Sequence, residues 1–335
     1  MPDFLPSAAA PILCGMIDSL SPPTVPTAVA SLSLDRADRD PQAFAQALGA
    51  SFERFGFAIV ADHGIPADLI ARAEAAARAL FALPEEAKRA GHRPGTGGAR
   101  GYTPFGIETA KDAIAVDLKE FWHIGRELPP GHRLQEAMAA NIWPEGVADF
   151  RATMLELYAA FEATGARLLA AIARYLGLAP DFFVDPVADG NSVLRLLHYP
   201  PVAGSGPSIR AGAHEDINVI TLLLGAEEAG LEILDRDGRW LPVTPGVGEL
   251  AVNVGDMLQR LTNGRLRSTT HRVANPASAR RGHARYSMPF FLHFRPDYRI
   301  ETLPSCVDAA HPDRFPDPIT ANDYLMQRLR EIKLL

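Results

Sequence analysis

The 335-residue chain is poor in cysteine and lacks both a long apolar run and an excess of basic residues. Its two cysteines, Cys14 and Cys306, allow one disulfide but are too few for a disulfide-stabilised secreted scaffold, so we expect two reduced thiols in a cytoplasmic protein. No segment approaches the roughly 20 apolar residues of a membrane helix, which argues against a membrane protein. The formal net charge of −7 argues against nucleic-acid binding, which requires a basic surface.

Neither the N-terminal segment nor the glycine-rich segment carries a recognised targeting or nucleotide signal. Residues 1–26 are rich in Ala, Ser and Pro and have Asp3 but no basic residue before their apolar stretch, so we interpret them as an irregular leader rather than a signal peptide. The segment Gly91–Gly106 predicts a loop without the Lys-Ser or Lys-Thr of a phosphate-binding loop. This loop could close over a site as a lid or be an ordinary surface loop.

The first half of the chain is dominated by helical periodicity. A helix is predicted after Asp40, where Phe44, Leu48, Phe52 and Phe55 recur at spacings of three and four. Further helices are predicted from Pro66 to about Leu83 and, as one long element, from about Leu134 to Leu178. Short strands are expected at Thr27–Leu34 and Phe57–Val60.

The second half has a different pattern, in which short β-rich runs follow one another with turns between them. The predicted strands are Val193–Tyr199, Val219–Leu224, Leu231–Leu234, Trp240–Val243, Leu250–Val254, His271–Ala274 and Arg285–Phe294. Closely spaced strands without helices between them are typical of a sandwich or barrel. We therefore expect a mainly β fold with α, in which a helical N-terminal half packs on a C-terminal β-sandwich and Ala321–Leu335 returns to helix.

Three side chains in this β-rich half form a candidate metal site. Because side chains alternate along a strand, His214 and Asp216 are expected on one face, with Glu215 on the other as a structural neighbour. His271, on a later β-rich segment, could supply a third ligand. Two His and one carboxylate on one face are typical of a non-haem Fe(II) site, although a lone strand His is more often structural.

A candidate anion-binding pair follows on the next predicted strand. Period-two geometry places Arg285 and Ser287 on one face. A guanidinium group matches a carboxylate with two parallel hydrogen bonds, and a neighbouring hydroxyl adds another. Taken alone, Arg285 could equally form a structural salt bridge.

Together these motifs resemble the isopenicillin N synthase-like family of Fe(II)/2-oxoglutarate-dependent dioxygenases over roughly residues 27–330. Gly56–Pro66 is similar to the family's strand-and-turn signature, although Asp62 stands where Asn is usual. Leu197 stands where many plant members have Asn. Further similar segments are Phe81–Lys88, Arg100–Tyr102, Asp117–Phe121, His198–Pro201 and Met288–Phe291.

The resemblance implies a role for each matching residue. His214, Asp216 and His271 match the iron ligands, and Arg285 and Ser287 match the Arg-x-Ser pair that holds the distal carboxylate of 2-oxoglutarate. Tyr199 occupies the place of a tyrosine that hydrogen-bonds the cosubstrate carboxyl, and Phe291 either lines the substrate pocket or packs in the core. No catalytic side chain beyond the metal ligands is expected.

The resemblance also implies a fold, a division of the chain and a reaction. The fold is a double-stranded β-helix, or jelly roll, at 186–300, after a leader at 1–26 and an α-rich region at 27–185 and before a helical segment at 301–335. The reaction uses Fe(II), 2-oxoglutarate and O2 to hydroxylate, desaturate or cyclise a small molecule, releasing succinate and CO2.

Two alternatives remain open at this point. The first is a 2-oxoglutarate-independent iron oxidase of the isopenicillin N synthase or aminocyclopropane carboxylate oxidase type, because such enzymes share the Tyr and the Arg-x-Ser pair. The second is a non-catalytic, metal-binding β-sandwich protein. The sequence predicts neither the primary substrate nor the oligomeric state.

Overall fold

The computed structural model describes residues 28–107, 119–201, 210–224, 230–275 and 282–331. The predicted leader at 1–26, with Cys14, lies outside these residues, as does the end of the predicted C-terminal helix at 332–335. The helices are α1 Arg36–Arg39, α2 Pro41–Phe55, α3 Ala67–Phe81, α4 Glu85–Arg89, α5 Phe150–Tyr175, α6 Val184–Val187, α7 Asp256–Leu261 and α8 Ala321–Glu331, with a 3-10 turn at Pro304–Cys306.

The strands form two main sheets and one small ribbon. Their bounds are β1 Ser31–Ser33, β2 Phe57–Ala61, β3 Gly101–Thr103, β4 Glu120–Gly125, β5 Val193–Tyr199, β6 Ala211–His214, β7 Ile220–Leu224, β8 Leu231–Leu234, β9 Trp240–Pro242, β10 Leu250–Val254, β11 His271–Val273, β12 Arg285–Leu292, β13 Arg299–Ile300 and β14 Ile319–Thr320. The large sheet has the order β1-β2-β10-β7-β12-β5-β4-β3, the small sheet the order β6-β11-β8-β9, and β13 pairs with β14. This arrangement confirms the expected mainly β fold with α.

One face of the large sheet packs against the helices. Neighbouring strands place Phe290, Leu222, Val252 and Ala58 side by side in one row, and all four are fully buried in the main core. The ring of Phe161 on α5 stacks on Phe290 with centroids 5.2 Å apart. Burial of such large apolar side chains provides the main stabilisation of the fold.

The opposite face of the large sheet, here called the site face, carries the alternate residues of the same strands. The row next to the core row consists of Phe291, Thr221, Asn253 and Phe57. Near β2 and β10 this face packs on the small sheet, where Phe57, Ile59 and Ala251 join Leu231 and Ile233 in a second apolar cluster. The two sheets therefore form a sandwich, and the site face is its interior.

Local sequence signals explain the helix ends that were predicted well. The Asp40 carboxylate accepts a hydrogen bond from the Ala43 amide at 3.1 Å, and Pro41 occupies the first helical turn of α2. Gly56 ends the helix with a φ of 69°, which favours glycine. α3 begins at Ala67, one residue after the predicted start, because Pro66 is its N-terminal cap.

The predicted long helix Leu134–Leu178 was wrong in its first third. α5 begins only at Phe150, and residues 134–149 form turns and irregular backbone. Pro144 and Gly146, whose φ is 84°, do not favour helix, and the apolar residues before them pack on the core from irregular backbone. None of the helices within the described ranges combines the length and apolarity that a membrane span requires.

Two strands in the N-terminal half were not predicted. β3 lies inside the expected loop Gly91–Gly106, and β4 extends the large sheet through six pairs with β5. Because β4 pairs with β5, a strand far away in the sequence, this pairing cannot be inferred from local periodicity. The N-terminal region therefore contributes strands as well as helices to the fold.

Candidate metal centre

Two adjacent strands of the small sheet bring the three predicted metal ligands together. His214 is the last residue of β6 and pairs directly with His271, the first residue of β11. Asp216 lies two residues beyond the end of β6, so the prediction that it belongs to the same strand was wrong. The chain turns after His214 and still directs the carboxylate toward the two imidazoles.

The three side chains converge on one point. Asp216 Oδ1 is 3.8 Å from His214 Nε2 and 3.9 Å from His271 Nε2. One donor atom from each residue lies within 4.8 Å of the other two, a separation that a single divalent ion can span. Two imidazoles and one carboxylate match the donor set of a non-haem Fe(II) centre with open coordination positions, so the residues fit this ion.

Backbone carbonyls fix the orientation of both imidazoles. His214 Nδ1 lies 2.7 Å from the Gly212 carbonyl oxygen, and His271 Nδ1 lies 3.1 Å from that of Thr269. A carbonyl can only accept, so each Nδ1 carries the proton and donates. Each Nε2 therefore keeps its lone pair for a metal.

Two polar residues that were not predicted hold the carboxylate. Asp216 Oδ2 accepts hydrogen bonds from Thr221 Oγ1 at 2.6 Å and from Asn253 Nδ2 at 2.8 Å, which leaves Oδ1 directed at the imidazoles. Thr221 and Asn253 are register partners on β7 and β10 and lie on the site face. The sequence signal that could have identified these two residues is a single polar residue within each of two otherwise apolar strands, Thr221 in β7 and Asn253 in β10.

The surroundings favour a neutral His214 and an ionised Asp216 at neutral pH. Removal of water around His214, together with charge on His271 and Lys119, lowers the pKa of His214 to about 4 although its side chain is partly exposed. Burial alone would raise the pKa of Asp216. Charge on the two imidazoles and the hydrogen bonds from Asn253 and Thr221 outweigh it and lower that pKa.

We expect Thr221→Val to weaken metal binding by about 10- to 100-fold, because the substitution removes a hydrogen bond that orients a ligand. The affinity is measured by competition of Fe(II) with a chelator. The matched control is Thr164→Val, which removes a buried hydroxyl in α5 rather than on β7. This variant should leave the Fe(II) affinity unchanged. Equal affinities in the two variants would contradict an orienting role for Thr221.

The predicted anion-binding pair lies on the site face of β12. Arg285 Nη1 lies 3.3 Å from Ser287 Oγ, and both residues are buried. Arg285 pairs with Tyr199 on β5, and its guanidinium carbon lies 5.1 Å from the centroid of the tyrosine ring. The prediction that Arg285 and Ser287 share a face is confirmed, and Tyr199 joins them. Glu215 is exposed and accepts a hydrogen bond from Thr270.

His293 is a further buried residue near this centre that was not predicted. Burial and the positive charge of Arg100 lower its pKa to about 4, while the charge of Asp216 opposes the shift. His293 lies one residue past the end of β12 at Leu292. Its backbone amide donates a hydrogen bond to Ser192 Oγ at 3.1 Å.

The lowered pKa of His293 predicts a loss of stability in acid. The unfolded chain binds a proton at His293 near pH 6.5, whereas the folded protein does so only near pH 4. Stability from this residue is therefore complete above about pH 6.5 and lost as the pH falls toward about 4. In urea unfolding of the metal-free protein at about pH 7 and about pH 4.5, His293→Gln should show the smaller loss. The same loss in both proteins would contradict the assignment.

Comparisons with known proteins agree with this geometry. Residues 27–146 match the family model described as non-haem dioxygenase in morphine synthesis N-terminal, and residues 190–294 match that of the 2OG-Fe(II) oxygenase superfamily. A 2-oxoglutarate-Fe(II) type oxidoreductase, hxnY, of Emericella nidulans is 38% identical over 287 residues, which cover 82% of this chain and 80% of that protein.

Solved structures are similar over almost the whole chain. A 2OG-Fe(II) oxygenase family protein from Caulobacter crescentus is 56% identical with a TM-score of 0.86, covering 91% of this chain and 99% of that one. A full-length Neurospora crassa protein, solved in complex with alpha-KG and thymine, is 29% identical with a TM-score of 0.80, covering 90% of this chain and 96% of that one. Sequence and structure therefore point to the same group of proteins.

Proposed function

Because this chain belongs to the isopenicillin N synthase-like family of 2-oxoglutarate-Fe(II) oxygenases, we propose that His214, Asp216 and His271 are its iron ligands. The protein is a 2-oxoglutarate-dependent dioxygenase that uses Fe(II) and O2 and oxidises a small molecule. The assignment of the ligands rests on one observation: two imidazoles oriented by backbone carbonyls and one carboxylate held by two hydrogen bonds converge on one point.

We further propose that Arg285 and Ser287 bind the distal carboxylate of 2-oxoglutarate and that Tyr199 contacts its other end. A buried guanidinium is stabilised by an anion, and its planar fork matches a carboxylate. Arg285 and Tyr199 are direct partners across β12 and β5, so one bound cosubstrate molecule can contact both side chains.

When bound, the iron supplies the oxidation chemistry, coupling decarboxylation of 2-oxoglutarate to oxidation of the substrate. The side chains of this protein perform the positioning. Thr221 and Asn253 fix the carboxylate ligand, the carbonyls of Gly212 and Thr269 fix the imidazoles, and Arg285 fixes the cosubstrate. Apolar side chains between the sheets, among them Phe57 with its ring centroid 5.3 Å from that of His271, shield the His271 side of this region from bulk water, whereas His214 is partly exposed.

The division of the chain follows from the same proposal. We infer that 186–300 is a double-stranded β-helix, that the helices of 27–185 cover it as an α-rich region, and that 301–335 closes it with a helix. Packing of Phe161 and Tyr158 of α5 on Phe290 of β12 supports this division. Phe291 faces the sandwich interior from the same strand, which supports a place in the substrate pocket.

The test of the proposed function is release of succinate from 2-oxoglutarate by the Fe(II)-loaded protein under air. We expect slow succinate formation without a primary substrate, and none without Fe(II). Inactivity with 2-oxoglutarate, together with oxidation of a substrate in its absence, would instead favour the 2-oxoglutarate-independent oxidases.

A further inference from the structure

The chain segment that carries the proposed metal ligand Asp216 is held by the start of helix α7. The backbone amide of Asp256 donates a hydrogen bond to the Asp216 carbonyl oxygen at 2.7 Å. The amides of Gly255 and Met257 donate to the next three carbonyl oxygens, at 217–219, over 2.9 to 3.3 Å. Three consecutive amides therefore hold four consecutive carbonyl groups, and the main chain of the metal ligand is fixed separately from its carboxylate.

Gly255 permits this close approach of α7 to the ligand segment. A Cβ atom at position 255 would lie 2.1 Å from the carbonyl oxygen of Asn218 and 2.6 Å from its Oδ1, closer than such atoms can approach. Asn218 is buried, and its Nδ2 donates to the Ile220 carbonyl oxygen at 2.8 Å and to Thr221 Oγ1 at 3.1 Å. Because Thr221 Oγ1 donates in turn to Asp216, a side chain at position 255 would displace a group that supports the metal ligand.

The C-terminal helix α8 holds the start of α7 in place. Arg328 Nε lies 3.2 Å from Asp256 Oδ2, and the two side chains are only 21% and 4% exposed. Further along α7, the guanidinium carbon of Arg260 lies 5.8 Å from the ring centroid of Tyr324 on α8. Asp256 therefore contacts α8 through its carboxylate and the metal ligand through its backbone amide.

The charge of Arg328 compensates the buried carboxylate of Asp256. The negative charges of Glu215 and Asp216 are near enough to act against an ionised Asp256, and the positive charge of Arg328 opposes them. Removal of one partner from a buried ion pair leaves an uncompensated charge, which is strongly unfavourable. Without Arg328, the first turn of α7 would have to move toward water, and the Asp216 carbonyl would lose its donor.

We propose that Gly255 and Asp256 are positioning residues for Asp216 and that Arg328 couples the docking of α8 to the affinity of the centre for iron. Gly255 acts by its lack of a side chain, Asp256 by its backbone amide, and Arg328 by compensating the Asp256 carboxylate. The inference rests on the proposed function, because it requires Asp216 to be a metal ligand. It makes the C-terminal helix part of the support of the metal centre.

The inference is tested by anaerobic competition of Fe(II) between the protein and a chelator. Gly255→Ala should weaken Fe(II) binding by about 10- to 100-fold, as expected for loss of a group that orients a ligand, and Arg328→Met by about tenfold. Removal of a positive charge would by itself strengthen the binding of a divalent cation, so a weaker affinity reports the position of Asp216. Arg328→Lys keeps the ion pair and should retain most of the affinity.

A double variant distinguishes positioning from charge more sharply. Asp256→Asn combined with Arg328→Met removes both partners of the ion pair and keeps the backbone amide at position 256. It should recover most of the Fe(II) affinity lost in Arg328→Met, because no uncompensated carboxylate remains. Charge alone predicts the reverse, since Asp256→Asn removes a negative charge near a bound cation.

Two control variants separate positioning from stability. Gly49→Ala places a Cβ atom 2.1 Å from the ring of Tyr175, so it should lower the free energy of unfolding in urea without weakening Fe(II) binding. Arg330→Met removes an exposed arginine of α8 and should change neither quantity. In the metal-free protein, hydrogen exchange of the amides at 255–257 should be faster in Arg328→Met than in wild type and unchanged in Arg330→Met.

Each result decides one part of the inference. Wild-type or stronger Fe(II) binding in Arg328→Met would overturn the coupling to α8, and wild-type binding in Gly255→Ala would overturn the role of α7. An equal loss of Fe(II) affinity in Gly49→Ala would show a general effect of instability and overturn both. If Gly255→Ala does not fold, Arg328→Met and the double variant decide the question. Failure of the wild-type protein to bind Fe(II) would instead contradict the proposed function.

Discussion

Asp216→Ala is expected to reduce 2-oxoglutarate turnover by about a thousandfold or more, because it removes a metal ligand rather than a group that orients one. Among the residues that the structure describes, Asp216 is the only carboxylate in the candidate metal cluster. Its Oδ1 lies within 4 Å of Nε2 of both His214 and His271. Succinate formation measures turnover, and chelator competition measures loss of Fe(II) in the same sample.

The neighbouring carboxylate provides the matched control for this variant. Glu215 lies next to Asp216, carries the same charge and is exposed, with a hydrogen bond from Thr270 Oγ1 at 3.0 Å. We expect Glu215→Gln to retain Fe(II) affinity and turnover close to wild type. If Asp216→Ala kept its iron, or if Glu215→Gln lost it equally, the ligand assignment would be wrong.

Arg285→Gln is expected to raise the KM for 2-oxoglutarate by about 100-fold, because a charge-assisted pair with the distal carboxylate is lost. Arg285→Lys keeps the charge but not the planar fork and should have a smaller effect. Ser287→Ala removes one neutral hydroxyl and should raise the KM by about tenfold or less. The KM values come from succinate formation at varied 2-oxoglutarate.

Fe(II) affinity distinguishes this role from a general disturbance of the site. It should be unchanged in Arg285→Gln, since the three proposed metal ligands lie on other segments of the chain. Arg78→Gln removes an exposed arginine of α3 that contacts Tyr286 on the opposite face of the same sheet, and it should leave the KM unchanged. A KM that is insensitive to Arg285 would contradict its role as the cosubstrate contact.

Seven strands of the second half, β5 and β7 to β12, could be predicted because their signals are local, whereas the two-residue strands β13 and β14 were not predicted. Alternating apolar residues and short turns indicate the strands from Val193 to Leu292, and alternation correctly places Arg285 and Ser287 on one face. The same rule failed for Asp216, because β6 ends at His214 and the next residues leave the strand. The three ligands nevertheless converge, through tertiary structure rather than through strand alternation.

The residues that support the site could not be predicted, because their roles depend on strand pairing. Thr221 and Asn253 meet Asp216 only when β7 and β10 are neighbours, and these two strands lie far apart in the sequence. β4, which extends the large sheet, gave no recognisable signal. A list of motifs identifies candidate ligands, whereas strand register identifies the residues that orient them.

Anaerobic absorbance titration of the Fe(II)-loaded protein with 2-oxoglutarate tests most directly whether one iron and one cosubstrate meet at this centre. A visible charge-transfer band should grow and saturate at one equivalent of 2-oxoglutarate. Asp216→Ala should show no band, and Arg285→Gln should require far more 2-oxoglutarate to reach the same band. A colourless wild-type mixture, or an undiminished band in Asp216→Ala, would contradict the assignment of His214, Asp216 and His271 as the iron site.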